Sequence, residues 1–107
     1  MLIARGSNWK ELEQQVNESG YTGTTWEVHF YNDTDFPASF FTDLAEAREY
    51  AASIDADIME SLFGSDAEGQ ALIVEEDEWE DGEFVELGFC TCYEYQWNDG
   101  KWEVVRY

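Results

Sequence analysis

The feature that most constrains the fold is an acidic stretch, Glu75–Glu86, in which an Asp81-Gly82 pair separates two strand-like runs. Eight of its twelve residues are Asp or Glu. An Asp-Gly pair between such runs favours the type I′ turn of a two-residue β-hairpin. We therefore predict strands over 71–79 and 84–97 that meet at this turn, rather than an acidic disordered tail.

The register of this hairpin places like charges opposite each other. With a two-residue loop, Glu80 faces Glu83 and Asp77 faces Glu86. Directly opposed like charges destabilise a strand pair, although salt screens surface charges beyond about 8 Å at physiological ionic strength. Either a solvated tip tolerates the arrangement, or a cationic partner neutralises it.

A second Asp-Gly pair at 99–100 predicts another hairpin, with a last strand over 101–107. Its register gives two cross-strand pairs on one face: Trp97 with Trp102, and Tyr95 with Val104. Pairs of this kind stabilise a sheet by about 0.2–1 kcal/mol each.

The N-terminal part of the chain predicts a helix followed by a strand. Asn8 and Glu11 have the spacing of a capping box, the apolar residues that follow share one helical face, and Gly20 suits a helix end. These features predict a helix over 8–19. Alternating apolar residues predict a strand over 24–31.

Segment 42–63 has apolar residues at helical spacing, and Thr42 can cap its start. The polar residues at 55–57 leave open whether it forms one helix or two. Together these elements predict a single domain, residues 1–107, of the α+β class. We expect an antiparallel sheet of about four strands and two to three helices on one face, in the order α-β-α-β-β-β.

The charge balance restricts the partners. The chain has 25 Asp and Glu against 5 Lys and Arg, which gives a net charge of −20. Five cations cannot neutralise a phosphate backbone, so nucleic acid and anionic membranes are excluded as direct partners. Aromatic residues make up 17% of the chain, which argues against disorder. The complementary partner is a basic protein.

The sequence also predicts a cytosolic location. The first residues are too few to hold the apolar segment of a signal peptide. No apolar run approaches the roughly 18–20 residues of a membrane span.

Acidic residues also follow the polar side of the 42–63 segment: Asp43, Glu46, Glu49, Asp57 and Glu60. Side chains three or four apart on a helix lie about 5–6 Å from each other, so a row of carboxylates roughly imitates a row of phosphates. Arg48 is the only basic residue between Lys10 and Lys101, whereas ordinary helix faces mix both signs. The alternative is an ordinary solvated helix face.

Metal sites are poorly supported. A calcium loop around the acidic turn would place Trp79 at a ligand position and Gly88 where a bidentate Glu is required. Cys90 and Cys92 point to the same face of a strand, and with His29 they fall short of four zinc ligands. We predict two reduced cysteines and no cofactor.

Catalysis is not predicted either. The chain has no nucleophile elbow, P-loop or dinucleotide fingerprint. The single histidine, His29, is expected at a surface or a sheet edge. We therefore predict a protein that is not an enzyme.

The leading hypothesis is an inhibitor that occludes the DNA or RNA site of a basic protein, with carboxylates in place of phosphates. The predicted contact residues are Glu75, Glu76, Asp77, Glu78, Glu80, Asp81, Glu83 and Glu86 on the hairpin, and Glu46, Glu49, Asp57 and Glu60 on the helix. Trp79 either anchors the contact or packs against Phe84 across the turn.

In size, charge, acidic hairpin and carboxylate helix, the chain resembles the small DNA-mimic anti-restriction and anti-CRISPR proteins of phages and mobile elements. The resemblance implies a basic nuclease or effector complex, of Cas or restriction type, as the target in a bacterial cytoplasm. Members differ in fold, so no individual residue carries over. Some members of this class block a conformational change instead of mimicking DNA.

Two other readings stay open. The first is an adaptor or homodimer that assembles through the aromatic residues of the last hairpin: Tyr93, Tyr95, Trp97, Trp102 and Tyr107. The second is adaptation to high salt, which would make the charge non-specific. Phosphate mimicry predicts that the acids form one continuous surface. Adaptation to high salt predicts that they are spread evenly, and an adaptor predicts an exposed apolar patch.

Overall fold

The computed structural model describes residues 1–32 and 36–106, with the backbone alone for 86–92 and 106. In chain order its elements are β1 Leu2–Gly6, α1 Trp9–Ser19, β2 Gly23–Phe30, β3 Ala38–Phe41, α2 Leu44–Ser53, α3 Ala56–Phe63, β4 Ala71–Glu80, β5 Glu83–Asn98 and β6 Lys101–Arg106. A short 3₁₀ turn, Gly64–Asp66, follows α3. Tyr107, which the sequence assigns to the last strand, lies outside the described residues.

The six described strands form one sheet in the order β1-β3-β2-β4-β5-β6, with every neighbouring pair antiparallel. The α+β class is confirmed, but the prediction of about four strands is wrong. The sequence prediction omits β1 and β3, which are 5 and 4 residues long. Both are too short for a clear alternation, and β1 is formed only because β3 lies beside it.

Both Asp-Gly turns are confirmed. Asp81 and Gly82 have φ values of 51° and 81°, and Asp99 and Gly100 have 54° and 76°. Positive φ at both central residues is the mark of a type I′ turn. The predicted register of the last hairpin is also confirmed, since Trp97 lies opposite Trp102 and Tyr95 opposite Val104.

The register of the acidic hairpin is only partly as predicted. Glu80 lies opposite Glu83, but Asp77 lies opposite Leu87 rather than Glu86. The pairing shifts between Glu78 and Trp79, because β5 contains one extra residue there. Glu86 therefore lies opposite Glu78, so the backbone still places two acidic residues in register.

The predicted first helix is confirmed with its caps. The Asn8 side chain accepts a hydrogen bond from the backbone N–H of Glu11 at 3.0 Å, and Gly20 ends the helix with φ 68°. The Glu11 carboxylate reaches back to the N–H of Ser7 at 2.9 Å, rather than to Asn8. The capping box is therefore present but displaced by one residue.

Segment 42–63 forms two helices. Asp43, rather than Thr42, caps α2, because its carboxylate accepts from the N–H of Ala45 at 3.3 Å. Ile54 is extended, and Asp55 starts α3 by accepting from the N–H of Ile58 at 3.0 Å. The question left open at 55–57 is thus decided by a new N-cap.

Helices cover both faces of the sheet, so the expectation of helices on one face is wrong. Ala47, Ala51 and Met59 of α2 and α3 share one core cluster with Phe41 of β3. Leu12 and Val16 of α1 share a second cluster with Phe40 and Trp79. Because Phe40 and Phe41 are consecutive on a strand, they point to opposite faces.

Candidate partner-binding surface

The acidic hairpin ends in a tip, Glu80–Glu83, that is fixed to the rest of the fold. The N–H of Gly82 donates to the carbonyl of Tyr21 at 2.8 Å, and the N–H of Asp81 donates to the hydroxyl of Thr22 at 2.9 Å. The Asn17 side-chain amide also donates to the Gly82 carbonyl. The tip therefore holds a defined position, with three exposed acidic residues: Glu80, Asp81 and Glu83.

The helical acids form a second exposed group: Glu46, Glu49, Asp57 and Glu60. Glu46 also pairs with the amino group of Met1. Glu46 and Glu49 lie on α2, and Asp57 and Glu60 lie on α3. The break at Ile54 means that they do not form one continuous row along a single helix, as the sequence suggested.

The two exposed groups do not meet in one surface. Helices α2 and α3 pack over Leu72 and Val74, whereas the tip contacts α1 and the turn that follows it. The tip is thus supported by the helix on the face of the sheet opposite to α2 and α3.

Trp79 belongs to the core. It is 2% exposed, and its ring packs against Phe84 at 5.5 Å and against Phe40 at 6.0 Å between centroids. Its indole N–H donates to the hydroxyl of Thr25 at 2.9 Å. Of the two roles that the sequence left open, the structure shows packing across the turn; an anchor for a partner would require exposure.

The other hairpin acids alternate between the two faces. Glu76 and Glu78 point to the α2–α3 face and are half-buried, and Glu78 accepts a hydrogen bond from Thr24 at 2.9 Å. Glu75 and Asp77 point to the α1 face. The side chain of Glu86 lies outside the described set. The eight predicted hairpin acids therefore do not form one surface.

Glu27, His29, Glu75 and Asp77 form an internal acidic cluster on the α1 face of β2 and β4. Asp77 is 0% exposed, and neither of its carboxylate oxygens has a hydrogen-bond partner in the described part of the chain. Burial, together with the negative charges of Glu27 and Glu75, raises the pKa of Asp77 to about 7, against the opposing effect of His29. Asp77 is therefore not available to a partner.

His29 is a member of this cluster and not an edge residue. Its Nε2 lies 2.8 Å from a carboxylate oxygen of Glu75, and its Nδ1 lies 3.2 Å from the carbonyl of Phe30. Both neighbours are acceptors, so the doubly protonated ring satisfies both. Burial lowers the pKa of His29, but the Glu75 hydrogen bond and the charges of Glu27 and Glu75 outweigh it, so the pKa is raised.

The two neighbouring glutamates respond in opposite directions. The hydrogen bond from His29 lowers the pKa of Glu75, with burial opposing. Burial raises the pKa of Glu27, with His29 opposing and Glu75 adding to the increase. No local sequence pattern indicates Glu27 as part of a site, because the cluster arises only from the pairing of β2 with β4.

Two of the five cationic side chains, Arg5 and Arg48, lie over aromatic rings. The guanidinium of Arg5 lies 5.2 Å from the ring centre of Tyr50, and that of Arg48 lies 4.4 Å from the ring centre of Tyr93. Arg48 also donates to the Tyr95 hydroxyl at 3.2 Å. Among the described side chains, no Lys or Arg forms an ion pair with a carboxylate. The exposed acids of the tip are therefore not neutralised by any described Lys or Arg side chain.

The described aromatic side chains of the last hairpin pack against the core, and Tyr107 lies outside the described residues. Tyr95 and Trp97 are buried, and Trp102 packs against Trp97 at 5.0 Å and donates to the carbonyl of Ile54 at 2.9 Å. The exposed apolar residues on β6 are Val104 and Val105. The aromatic patch on which the adaptor reading depends is therefore part of the core under α2 and α3.

Within residues 1–32 and 36–106 as described, no group of three or more His, Cys, Asp or Glu residues has the arrangement of a metal site. Cys90 and Cys92 lie among the residues described by backbone alone. No helix in the same part of the chain is both long and apolar enough to cross a membrane.

Comparison of the chain with protein-family models, with curated proteins and with solved structures found no match.

Proposed function

We propose that this protein binds the cationic surface of a nucleic-acid-binding protein and occludes it, with the acidic tip in the place of phosphates. The observation that carries the proposal is the fixed, unneutralised tip. Its turn is held by hydrogen bonds to Asn17, Tyr21 and Thr22, and no described Lys or Arg pairs with its acids. A fixed tip loses little conformational entropy on binding.

The mechanism is competition for the same cations. Lys and Arg side chains that hold a nucleic-acid backbone would pair with Glu80, Asp81 and Glu83 instead. The net charge of −20 steers a cationic partner towards the molecule and makes association fast and dependent on salt. The helical acids lie elsewhere on the molecule, so they contribute to this long-range attraction rather than to the tip contact.

The resemblance to anti-restriction and anti-CRISPR proteins indicates the class of target. A bacterial nuclease or a guide-RNA effector complex has a cationic channel of the kind that this tip complements. In this proposal the protein acts in the bacterial cytoplasm without a cofactor and without chemistry of its own.

The test is capture from a nuclease-treated bacterial lysate by the immobilised protein, followed by elution with duplex DNA at constant salt. We expect DNA to release the bound proteins, and mass spectrometry to identify them as nucleic-acid-binding. Bound proteins that DNA does not displace would contradict occlusion. Retention of many unrelated basic proteins would indicate non-specific charge.

A matched pair of variants makes the test specific. The first is a triple variant that removes three charges from the tip: Glu80→Gln, Asp81→Asn and Glu83→Gln. Glu13→Gln with Asp66→Asn and Glu103→Gln removes three charges elsewhere. We expect the first variant to lose capture and the second to retain it; equal losses would mean that net charge, and not the tip, determines binding.

A further inference from the structure

A groove of about 550 Å³ lies on the α1 face of the sheet. Its lining includes Tyr31, Ala71, Ile73, Glu75, Glu94 and Gln96. Helix α1 contributes no residue to it. Apart from Glu75, the sequence pattern indicates none of these residues as part of a site, because they lie on or next to three strands that meet only in the sheet.

The groove combines an apolar floor with acidic sides. Ile73 is 5% exposed and lies between His29 on β2 and Glu94 on β5. Glu75 follows two residues later on the same face of β4, about 7 Å from Ile73. Two carboxylates therefore flank one apolar residue, and Tyr31, which is 74% exposed, adds an open aromatic ring.

A buried carboxyl group lies next to this groove. Asp77 is the next residue after Glu75 on the same face, fully buried and without a hydrogen-bond partner in the described chain. Its carboxyl lies close enough to Glu75 and Glu27 for their charges to affect it. Asp77 itself is closed to a partner, but the groove beside it carries two carboxylates, Glu75 and Glu94, against one cationic group, His29.

We propose that this groove holds an arginine side chain of the basic partner, an inference that rests on the proposed function and names the side chain by which the target is held. A guanidinium can stack on Tyr31 and donate two hydrogen bonds to Glu94, whereas Glu75 is already paired with His29. Its methylene groups can cover Ala71 and Ile73. Lysine lacks the planar fork, so it can satisfy only part of this arrangement.

The test uses N-acetyl-arginine amide as the probe and the ¹⁵N-labelled full chain at low ionic strength. We expect chemical-shift changes at 29–31, 71–75 and 94–96 that are larger than those at the tip. N-acetyl-lysine amide should bind about two- to fivefold more weakly. Equal effects of both amides, changes spread over all acids, or no changes would each overturn the assignment.

Variants identify the groups involved. Glu94→Gln should weaken binding of the arginine amide about two- to fivefold, and Glu80→Gln, which removes the same charge at the tip, should not. Tyr31→Ala should weaken it, and Tyr31→Phe should restore it because the ring remains. The spectra show whether each variant is folded. Equal affinity of Glu94→Gln and the unmodified chain would exclude the groove.

This experiment is independent of the target. If the amide titration fails while DNA still displaces captured proteins, the groove assignment is wrong and the proposed function stands. If the amide binds in the groove but no nucleic-acid-binding protein is captured, the proposed function is wrong instead.

Discussion

Thr25 and Asp77 lie directly opposite each other on β2 and β4, and both side chains are completely buried. The Thr25 hydroxyl accepts the indole N–H of Trp79, whereas the Asp77 carboxyl has no hydrogen-bond partner among the described residues. A buried carboxylate without donors disfavours its charged form. The fold therefore binds a proton at Asp77 under conditions in which the unfolded chain has released it.

Asp77→Asn should make stability less dependent on pH. The pKa of Asp77 rises from an ordinary 3.8 to about 7 on folding. The stability that protonation provides is thus fully present below about pH 4 and is lost as the pH rises through about 7. Between pH 5 and 8 the unmodified chain should lose about 2–3 kcal/mol through this group. Urea unfolding at pH 5 and at pH 8 measures this loss of stability.

The variant should keep a smaller slope of the same sign, because the pKa values of Glu27 and His29 are also raised. Glu80→Gln at the exposed tip is the control and should leave the slope as it is. An unchanged slope in Asp77→Asn would mean that Asp77 is ionised in the folded protein at neutral pH.

Gly82→Ala tests the docking of the tip on α1. Gly82 has φ +81°, and an added Cβ would lie 2.7 Å from the carbonyl oxygen of Asn17. Gly100→Ala is a matched control, since it has the same turn position, φ +76° and open space around the Cβ. Both should lose about 1–2 kcal/mol from the backbone conformation. Gly82→Ala should lose at least about 1 kcal/mol more.

Thermal or urea unfolding of the two glycine variants gives the comparison. Equal losses would show that the tip is not packed against the end of α1. The tip would then be less rigid than the proposed function requires.

Trp79→Ala should destabilise the fold by about 3–5 kcal/mol, because it removes a buried aromatic side chain. Trp79→Phe keeps most of the packing and removes the hydrogen bond to Thr25, so it should lose about 1–2 kcal/mol. Chemical denaturation measures both values. If Trp79→Ala left stability unchanged but reduced partner capture, Trp79 would be an anchor of the contact rather than a core residue.

Glu80→Lys should affect stability and binding in opposite directions. It replaces a like-charge pair with an opposite-charge pair across from Glu83, which should stabilise the hairpin by about 0.2–1 kcal/mol. The same change should weaken capture of a cationic partner. Asp66→Lys, which makes the same charge change outside the tip, is the control; equal loss of capture in both would remove the tip from the mechanism.

Local signals determined much of the fold. Asp81-Gly82 and Asp99-Gly100 form the predicted turns, and Asn8 and Gly20 mark the ends of α1 as expected. These features depend on the conformations that a few adjacent residues favour. The missed strands, β1 and β3, lack such a signal, since β1 is paired only with β3, and β3 is held between β1 and β2.

The sequence by itself determined that the chain is strongly acidic and that its acids surround a hairpin turn. Only the tertiary structure decided which acids are available. The alternation of β4 sends Asp77 and Trp79 into the interior under α1, while the contact with α1 fixes Glu80, Asp81 and Glu83 at the surface. Burial depends on residues far apart in the chain, which a local pattern does not contain.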